Sequence, residues 1–466
     1  MRYILLIFLS FNALSEPWFN VSDSKNLDYI SHQLKSCNYW DESYISYPVS
    51  YGEINFYLNK INERNIDNAL CKSNIDRIKI YLRDNFIQSR VVIFGMQSGT
   101  NDQYFQTRTN RYFHKDNYYF SLSDINSNFA YKVKVTNAYQ EDKIYFDESY
   151  LAYKFKNHVF TIGRINRWWS PSESYSLIMS NSARPLPGVG YKNYIPIKSQ
   201  NNFLKFLGYV NYEFFLNELE KERAIPNTLL FGNRVTFKPH DSFKFSFLRL
   251  AQFGGKNRPK DADTIIKMLI GKDNTSANLS FTEQPGNQLA GFDFVYSPQI
   301  NRNLKIYMQT IGEDEAGYFP SRKMSLYGFS YFFEGLNPTS LSIDHIDTFN
   351  GFRNSSYNHV LYKSGLRHYG IPIGASIDAD SEALKVSLNK KFNNFYFEFS
   401  FADIYLNKNN SLTNYWTKER VEFNQLNLLI KYQYKKSYID LIYTHTNQMF
   451  NNFNKNNFFI NLYFKF

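Results

Sequence analysis

Apolar and polar side chains alternate along stretches of about ten residues from Val91 to the last residue, Phe466. The last stretch is the clearest, because five apolar side chains share one face and three polar ones the other: Phe458, Ile460, Leu462, Phe464 and Phe466 against Asn461, Tyr463 and Lys465. Such a strand fits the wall of a transmembrane β-barrel, which has lipid outside and water or polar side chains inside. The pattern therefore predicts an all-β transmembrane barrel.

Short turn signals alternate with long connections along this region, for example at residues 156–157, 393–394 and 435–437. Counting the strands between these signals gives about 18 antiparallel strands, one of them at residues 190–197. Barrels of this class keep short turns in the periplasm and long loops outside, and an even strand number returns the C terminus to the periplasm. We therefore expect the long loops to be extracellular.

One strand breaks the alternation at Arg249. This residue shares the parity of Phe243 and Phe247, which directs its charge toward lipid at a cost of up to about 2–4 kcal/mol. A β-bulge near Phe247 would turn Leu248 and Leu250 outward and Arg249 inward. We therefore predict a bulge at this point.

The chain divides into three regions. A basic start, an apolar run and small residues predict that residues 1–15 are a secretory signal peptide. Residues 16–88 carry apolar side chains at helical spacing, which predicts a small helical unit at the periplasmic end of the barrel. Residues 89–466 form the barrel itself. The predicted location is the bacterial outer membrane.

Two local predictions concern the helical unit. Ser50, followed three residues later by Glu53, fits a capping box at the start of a helix. Cys37 and Cys71 are the two cysteines of the chain. In an oxidising periplasm they would form a disulfide worth roughly 4 kcal/mol in the chain-entropy model, and two buried free thiols are the alternative.

The aromatic content and the net charge of the chain also bear on the class of protein. Aromatic residues make up 19% of the chain, which suits the aromatic girdles of a membrane barrel. The net charge of +11 does not indicate nucleic acid in an exported protein. It suits a surface rich in lipopolysaccharide phosphates and acidic sugars.

The long loops carry distinctive segments, which occur in this order: RWW with SNSARPLP, ERAIPN with FGNR, QFGGKNRP, GNQLAGFD, GEDEAGYFPSR, YNHVLYKSGLRHYG and IGASIDADS. Together they resemble the Wzi family of outer-membrane capsule attachment and assembly proteins. The resemblance covers nearly the whole chain after the signal peptide. By contrast, residues 407–417 and 447–457 are predicted to be low-complexity polar fillers.

The resemblance implies an 18-stranded barrel that is plugged by inward-folded loops and by a periplasmic helical bundle. It also implies a function, which is to bind exported capsular polysaccharide and hold or organise it at the cell surface. The expected partners are an acidic polysaccharide, lipopolysaccharide and the capsule export machinery. A porin for sugars or other small polar solutes is the alternative, and it requires a continuous wet lumen.

Sugars are bound by aromatic faces and planar polar side chains, and an acidic polymer adds a need for cations. The loops supply these types, and we expect them to reach outward: Arg167, Trp168, Trp169, Arg184, Arg258, Tyr357, His359, Tyr362, Arg367 and His368. Adjacent Trp168 and Trp169 would alternatively be anchors at the membrane interface. A second set is predicted to form a salt-bridge lattice of lumen and loop residues that holds the loops inside the barrel: Arg223, Arg234, Arg249, Glu313, Asp314 and Arg322.

No metal, cofactor or catalytic site is predicted. Asp378 and Asp380 lie on a glycine-rich loop, but two carboxylates do not supply the six to eight oxygens that Ca²⁺ needs. His345 and His359 have acidic or hydroxyl neighbours, yet no nucleophile motif surrounds them. An outer-membrane hydrolase is therefore the weakest hypothesis.

Overall fold

A computed structural model of the chain describes residues 18–19, 27–28, 45–62, 72, 75–76, 79–80, 90–101, 105, 107–108, 115–125, 128–139, 141–202, 204–261, 263, 286–316, 319–333, 337–351, 356–448 and 454–466. Cys37 and Cys71 lie outside these residues, so their pairing stays a prediction. Within the described part, no helix is long and apolar enough to cross a membrane.

Among the described residues, eighteen antiparallel strands of six or more residues form one closed barrel, as the sequence predicts, and the short strands Lys143–Tyr145 and Ile197–Lys198 pair with it. In chain order they are β1 Val91–Gly99, β2 Asn117–Ile125, β3 Phe129–Ala138, β4 Tyr150–Phe155, β5 His158–Arg164, β6 Pro187–Asn193, β7 Tyr209–Glu218, β8 Leu229–His240, β9 Phe243–Phe253, β10 Gly286–Tyr296, β11 Leu304–Ala316, β12 Phe319–Phe333, β13 Thr339–Asp347, β14 Glu382–Phe392, β15 Phe395–Leu406, β16 Val421–Tyr434, β17 Ser437–Thr446 and β18 Asn456–Lys465.

The barrel closes between its first and last strands, where Phe464 of β18 pairs with Phe94 of β1. The faces of β18 match the predicted alternation, since Phe458, Ile460 and Phe464 are exposed on the outside. Phe459 and Asn461 are buried on the inside. Alternation thus selects the strand register, because a slip of one residue would send the apolar set into the lumen.

Short turns cluster at one end of the barrel, which we call the turn end. Lys156, Asn393 and Lys435 adopt positive φ angles of 52°, 50° and 52° in three of these turns. The opposite end, the loop end, carries most of the long connections. The predicted strand at residues 190–197 is instead Pro187–Asn193, followed by a two-residue strand at Ile197–Lys198.

Some segments predicted as loops are strands. β10 contains GNQLAGFD, and β11 with β12 contains most of GEDEAGYFPSR as a hairpin that pairs Ala316 with Phe319. The polar residues in these segments suggest loops, but the antiparallel ladder continues through them.

The predicted bulge in β9 is wrong. The β9 register with β10 runs without a shift from Phe243 to Phe253, and Leu248 and Leu250 point inward and are buried. Arg249 keeps the outward parity of Phe247, and its Nε donates a hydrogen bond to Gln288 Oε1 at 2.5 Å. Arg249 is therefore not part of a lattice inside the barrel.

A helix, α1 at Tyr51–Asn62, precedes the barrel. Ser50 Oγ accepts the Glu53 backbone N–H at 3.2 Å, which is half of the predicted capping box. The Glu53 carboxylate instead accepts a hydrogen bond from Asn211 Nδ2 of β7 at 2.8 Å. Lys60 Nζ lies 4.2 Å from the centroid of the Tyr209 ring. The helix is thus attached to the turn end of β7.

Candidate functional site

Two segments from the loop end fold into the lumen. We call residues 165–186 the first plug segment and residues 373–381 the second plug segment. Trp168, Trp169, Ile377 and Asp378 are all 0% exposed, and most of the surrounding plug residues are buried as well. Ser180 N donates to Ile373 O at 2.8 Å and joins the two segments. Together they fill the lumen with packed side chains.

The first plug segment is held by carboxylates that the strands direct inward. Asp344 of β13 accepts hydrogen bonds from Ser172 Oγ at 2.6 Å, from Ser174 Oγ at 2.8 Å and from Tyr307 OH at 2.6 Å. The carboxylate is completely buried. Three donors therefore offset much of its desolvation penalty, because hydrogen bonds to the charged form stabilise it.

A second buried network centres on Gln309 of β11. Its Nε2 donates to Trp169 O and to Asp293 Oδ1, both at 2.7 Å, and its Oε1 accepts Leu177 N at 2.7 Å. Asp293 also forms an ion pair with Arg234 of β8, and both side chains are almost fully buried. The structure therefore places Arg234 in a buried network inside the barrel.

Arg167, Trp168 and Trp169 do not reach outward. Arg167 Nε and Trp169 Nε1 donate to the two carboxylate oxygens of Glu213 at 2.7 and 3.0 Å. Trp168 exchanges two backbone hydrogen bonds with Tyr47, at 3.0 and 3.1 Å. The expectation of outward reach is wrong for all three side chains, and so is the interface-anchor alternative, because the segment turns into the lumen and buries them.

Above the plug lies a cap, which we define as residues 219–228, 356–372 and 407–420. Arg367 forms hydrogen bonds that connect the cap to the plug. It donates to Asp378 Oδ2 from Nη2 at 2.7 Å and from Nε at 3.2 Å, to Asn358 Oδ1 at 2.9 Å and to Thr413 O at 3.2 Å. Asp378 Oδ2 also accepts Tyr415 N at 2.7 Å. One buried ion pair thus connects the second plug segment to two parts of the cap.

The third part of the cap is joined through His368. Its Nδ1 lies 2.7 Å from Glu220 Oε2, and Arg223 Nη1 lies 3.6 Å from the same oxygen. The Arg223 guanidinium also donates to Arg367 O at 3.1 Å and to Gly365 O at 2.9 Å. Arg223 therefore ties parts of the cap to one another and lies in the loops, not on the lumen wall.

Residues 407–417, which were predicted to be polar fillers, instead form hydrogen bonds that attach this loop to the second plug segment. Asp380 accepts hydrogen bonds from Asn409 Nδ2 at 2.8 Å and from the backbone N–H groups of Asn409 and Ser411 at 3.2 Å. Asn414 Nδ2 donates to Ala379 O at 2.7 Å. The Asp and Asn side chains thus fasten this loop to the second plug segment.

Most of the other side chains predicted to bind sugar also form hydrogen bonds within the protein. Tyr357 OH donates to Leu177 O at 2.6 Å, and Tyr362 OH donates to Gly254 O at 3.3 Å. Both tyrosines and His368 are buried, so the expected outward reach is wrong for them and for Arg367. His359 and Arg258 are half-buried.

The other predicted residues are Arg184, Arg322, Glu313 and Asp314. Arg184 pairs with Asp147, and its guanidinium carbon lies 3.4 Å from the centroid of the Tyr145 ring. Arg322 is half-buried on β12. The side chains of Glu313 and Asp314 fall outside the described part of the chain. Among the described residues, no group of three or more His, Cys, Asp or Glu side chains could hold a metal ion.

Acid should loosen the cap at Glu220. Burial raises the pKa of Glu220, but the hydrogen bond from His368 and the charge of Arg223 outweigh it and hold the pKa below its usual value. A carboxyl with a depressed folded-state pKa stabilises the fold above its unfolded pKa of about 4.3, and this stability is lost as pH falls through the folded pKa. We expect slow amide exchange over residues 219–228 near neutral pH and faster exchange, after correction for intrinsic rates, below about pH 4.

Glu220→Gln is the matched control for this prediction, because it keeps the shape but removes the titrating group. The variant should exchange faster than the parent at neutral pH and show no acid transition in residues 219–228. A parent-like acid transition in the variant would contradict the assignment to Glu220.

These features define a class of protein, a closed membrane barrel whose lumen is filled by its own loops. The family model of the capsule assembly protein Wzi matches residues 93–457, and the chain belongs to this family. The structure is similar to that of Escherichia coli Wzi, an outer membrane protein involved in group 1 capsule assembly and a carbohydrate-binding β-barrel. The TM-score is 0.81 at 20% identity, over 97% of this chain and 99% of the other.

A curated relative is an uncharacterized 55.8 kDa protein in the cps region of Klebsiella pneumoniae, which is 33% identical over 182 residues. The match covers 39% of this chain and 35% of the relative's length.

Proposed function

We propose that this protein binds exported capsular polysaccharide at its loop end and holds it on the cell surface. The loop end faces the exterior, and the turn end with α1 faces the periplasm. The protein acts as a lectin-like anchor and not as an enzyme. Membership of the capsule assembly family supports the polysaccharide as the ligand.

The observation that carries this proposal is the filled lumen. Trp168, Trp169 and Asp378 are completely buried, and Asp344 and Gln309 fix the first plug segment to the barrel wall. A porin needs a continuous wet path between the two ends, whereas the described plug residues occupy that path. The barrel therefore serves better as a rigid support for the cap than as a channel.

The cap suits an acidic polymer. Its described residues include four exposed cations and two exposed carboxylates: Lys221, Lys363, Lys418 and Arg420 against Glu222 and Glu419. Cations at an exposed surface attract anionic ligands over distances set by the ionic strength. We therefore propose uronic-acid or similarly anionic repeats as the ligand class.

The test is a titration of the purified, folded barrel with purified capsular polysaccharide from its own cell. We expect saturable binding in low salt that weakens as salt is raised toward about 1 M, where the screening length falls to about 3 Å. A neutral polysaccharide of similar length is the control, and it should bind more weakly with little salt dependence. Absence of saturable binding by the capsular polymer would reject the proposed function.

A further inference from the structure

The cap exposes the side chains of two tyrosines, Tyr369 and Tyr415. Tyr369 is 59% exposed and Tyr415 is 43% exposed, although they follow buried or anchored neighbours. Tyr369 comes directly after His368, which Glu220 holds at 2.7 Å. Tyr415 is fixed through its backbone N–H, which donates to Asp378 at 2.7 Å. The backbone next to each ring is therefore held by hydrogen bonds, while the ring itself is exposed to solvent.

The backbone at Tyr369 is unusual for a large side chain. Arg367–His368 and Ile371–Pro372 form a two-residue hairpin whose turn is Tyr369–Gly370. The φ angles of the turn residues are 49° and 82°. Turns with two positive φ angles favour Asn-Gly or Asp-Gly, and a bulky residue at positive φ is uncommon. Tyrosine therefore occupies a position where a smaller residue would suit the backbone better.

Gly370 brings the Tyr415 ring against the turn that carries Tyr369. A Cβ atom at this glycine would lie 2.6 Å from Cε2 and 2.8 Å from the hydroxyl oxygen of Tyr415. The absence of a side chain at Gly370 thus lets the Tyr415 ring lie against the turn that carries Tyr369. The sequence Tyr369–Gly370 gives both an exposed ring and room for a second one.

Backbone strain at an exposed aromatic is a reason to look for function, since strain persists where it serves a site. Aromatic rings are also large, rigid contact surfaces that lose little conformational entropy on binding. Two exposed rings, one on the turn and one against it, suit the repeating apolar C–H faces of successive pyranose rings. Glu222, Glu220 and Arg164 act electrostatically on the Tyr369 hydroxyl, so charged groups lie near this ring.

We infer that Tyr369 and Tyr415 form a stacking platform on which the sugar rings of the bound polysaccharide lie. This inference rests on the proposed function and names the side chains that touch the polymer. In it, Arg367 and His368 are positioning residues, because they hold the two tyrosines through Asp378 and Glu220 without touching the sugar.

The experiment uses the full barrel and purified capsular polysaccharide from its own cell, with affinity measured by titration. Tyr369→Asn removes the ring and places a preferred residue in the turn, so the fold is retained. Tyr415→Ala removes the second ring. Each should weaken binding by about fivefold to tenfold, and Tyr369→Phe should bind within about twofold of the parent. Tyr139→Asn is the matched control, because Tyr139 is 77% exposed outside the cap, and its affinity should not change.

Folding of every variant is checked by the heat-dependent gel mobility of the barrel. If the parent binds and both Tyr369→Asn and Tyr415→Ala bind as well as the parent, the platform is refuted while the proposed function stands. An equal loss in Tyr139→Asn would also refute it, since any exposed tyrosine would then serve. If the parent shows no binding, the platform and the proposed function both fail.

Discussion

Replacing Arg234 by alanine should destabilise the barrel by about 3–5 kcal/mol. The change leaves the Asp293 carboxylate, which is 0% exposed, without its cationic partner. Removing one partner of a buried ion pair is costly because the other charge stays buried and uncompensated. Reversible urea unfolding of the purified barrel in lipid vesicles measures the loss.

Two variants make this prediction specific. The double variant Arg234→Met with Asp293→Asn removes both charges but keeps an oxygen to accept Gln309 Nε2, so it should recover part of the loss. Arg249→Ala should cost less than Arg234→Ala, because the Arg249 side chain faces outward and is half-buried, whereas the Arg234 side chain is almost fully buried. Equal losses for Arg234→Ala and Arg249→Ala would contradict the buried-pair explanation.

Removing the first plug segment should convert a closed barrel into a conducting one. We expect the intact protein to show little or no steady conductance in planar bilayers. Replacement of residues 167–184 by a short Gly-Ser linker removes Trp168, Trp169 and the serines bound to Asp344. The resulting space is lined by polar inward side chains such as Asp344 and Gln309, so water and ions should enter it.

A control variant replaces Glu141 and Asp142 by glycine in another connection of the loop end, and it should stay closed. Stable, large conductance in the intact protein would favour the porin hypothesis. A closed, folded barrel without residues 167–184 would show that the second plug segment and the cap seal the lumen without help from the first.

The strand pattern was predictable because it depends on a period of two residues along each strand. The β18 faces follow directly from Phe458, Ile460 and Asn461. The prediction at Arg249 was wrong because it assumed that apolar side chains face lipid and that the lumen is filled with water. Here the inward Leu248 and Leu250 pack against a hydrophobic cluster that includes Trp169 and Leu177 of the first plug segment. Apolar side chains therefore occupy both faces of β9, and parity alone does not separate them.

The candidate site was less predictable, because aromatic and cationic side chains in a loop have the same sequence pattern whether the loop turns inward or outward. Trp168, Trp169 and Arg367 have suitable chemistry for sugar binding, yet they are buried among partners on distant strands. The signal available for this turn was Gly370, since glycine favours a tight turn with a positive φ angle. Asp293 and Asp344 could have been found as lone carboxylates on the inward faces of apolar strands.

The central claim is that the protein retains capsular polysaccharide on the cell surface. The most direct test measures cell-bound and shed capsule in cells that lack the protein, in the same cells with the protein restored, and in cells with the Tyr369→Asn and Tyr415→Ala double variant. We predict that total polysaccharide stays constant while the shed fraction rises without the protein and falls again on restoration. An unchanged cell-bound fraction without the protein, or a fall in total polysaccharide with no change in the shed fraction, would contradict the account.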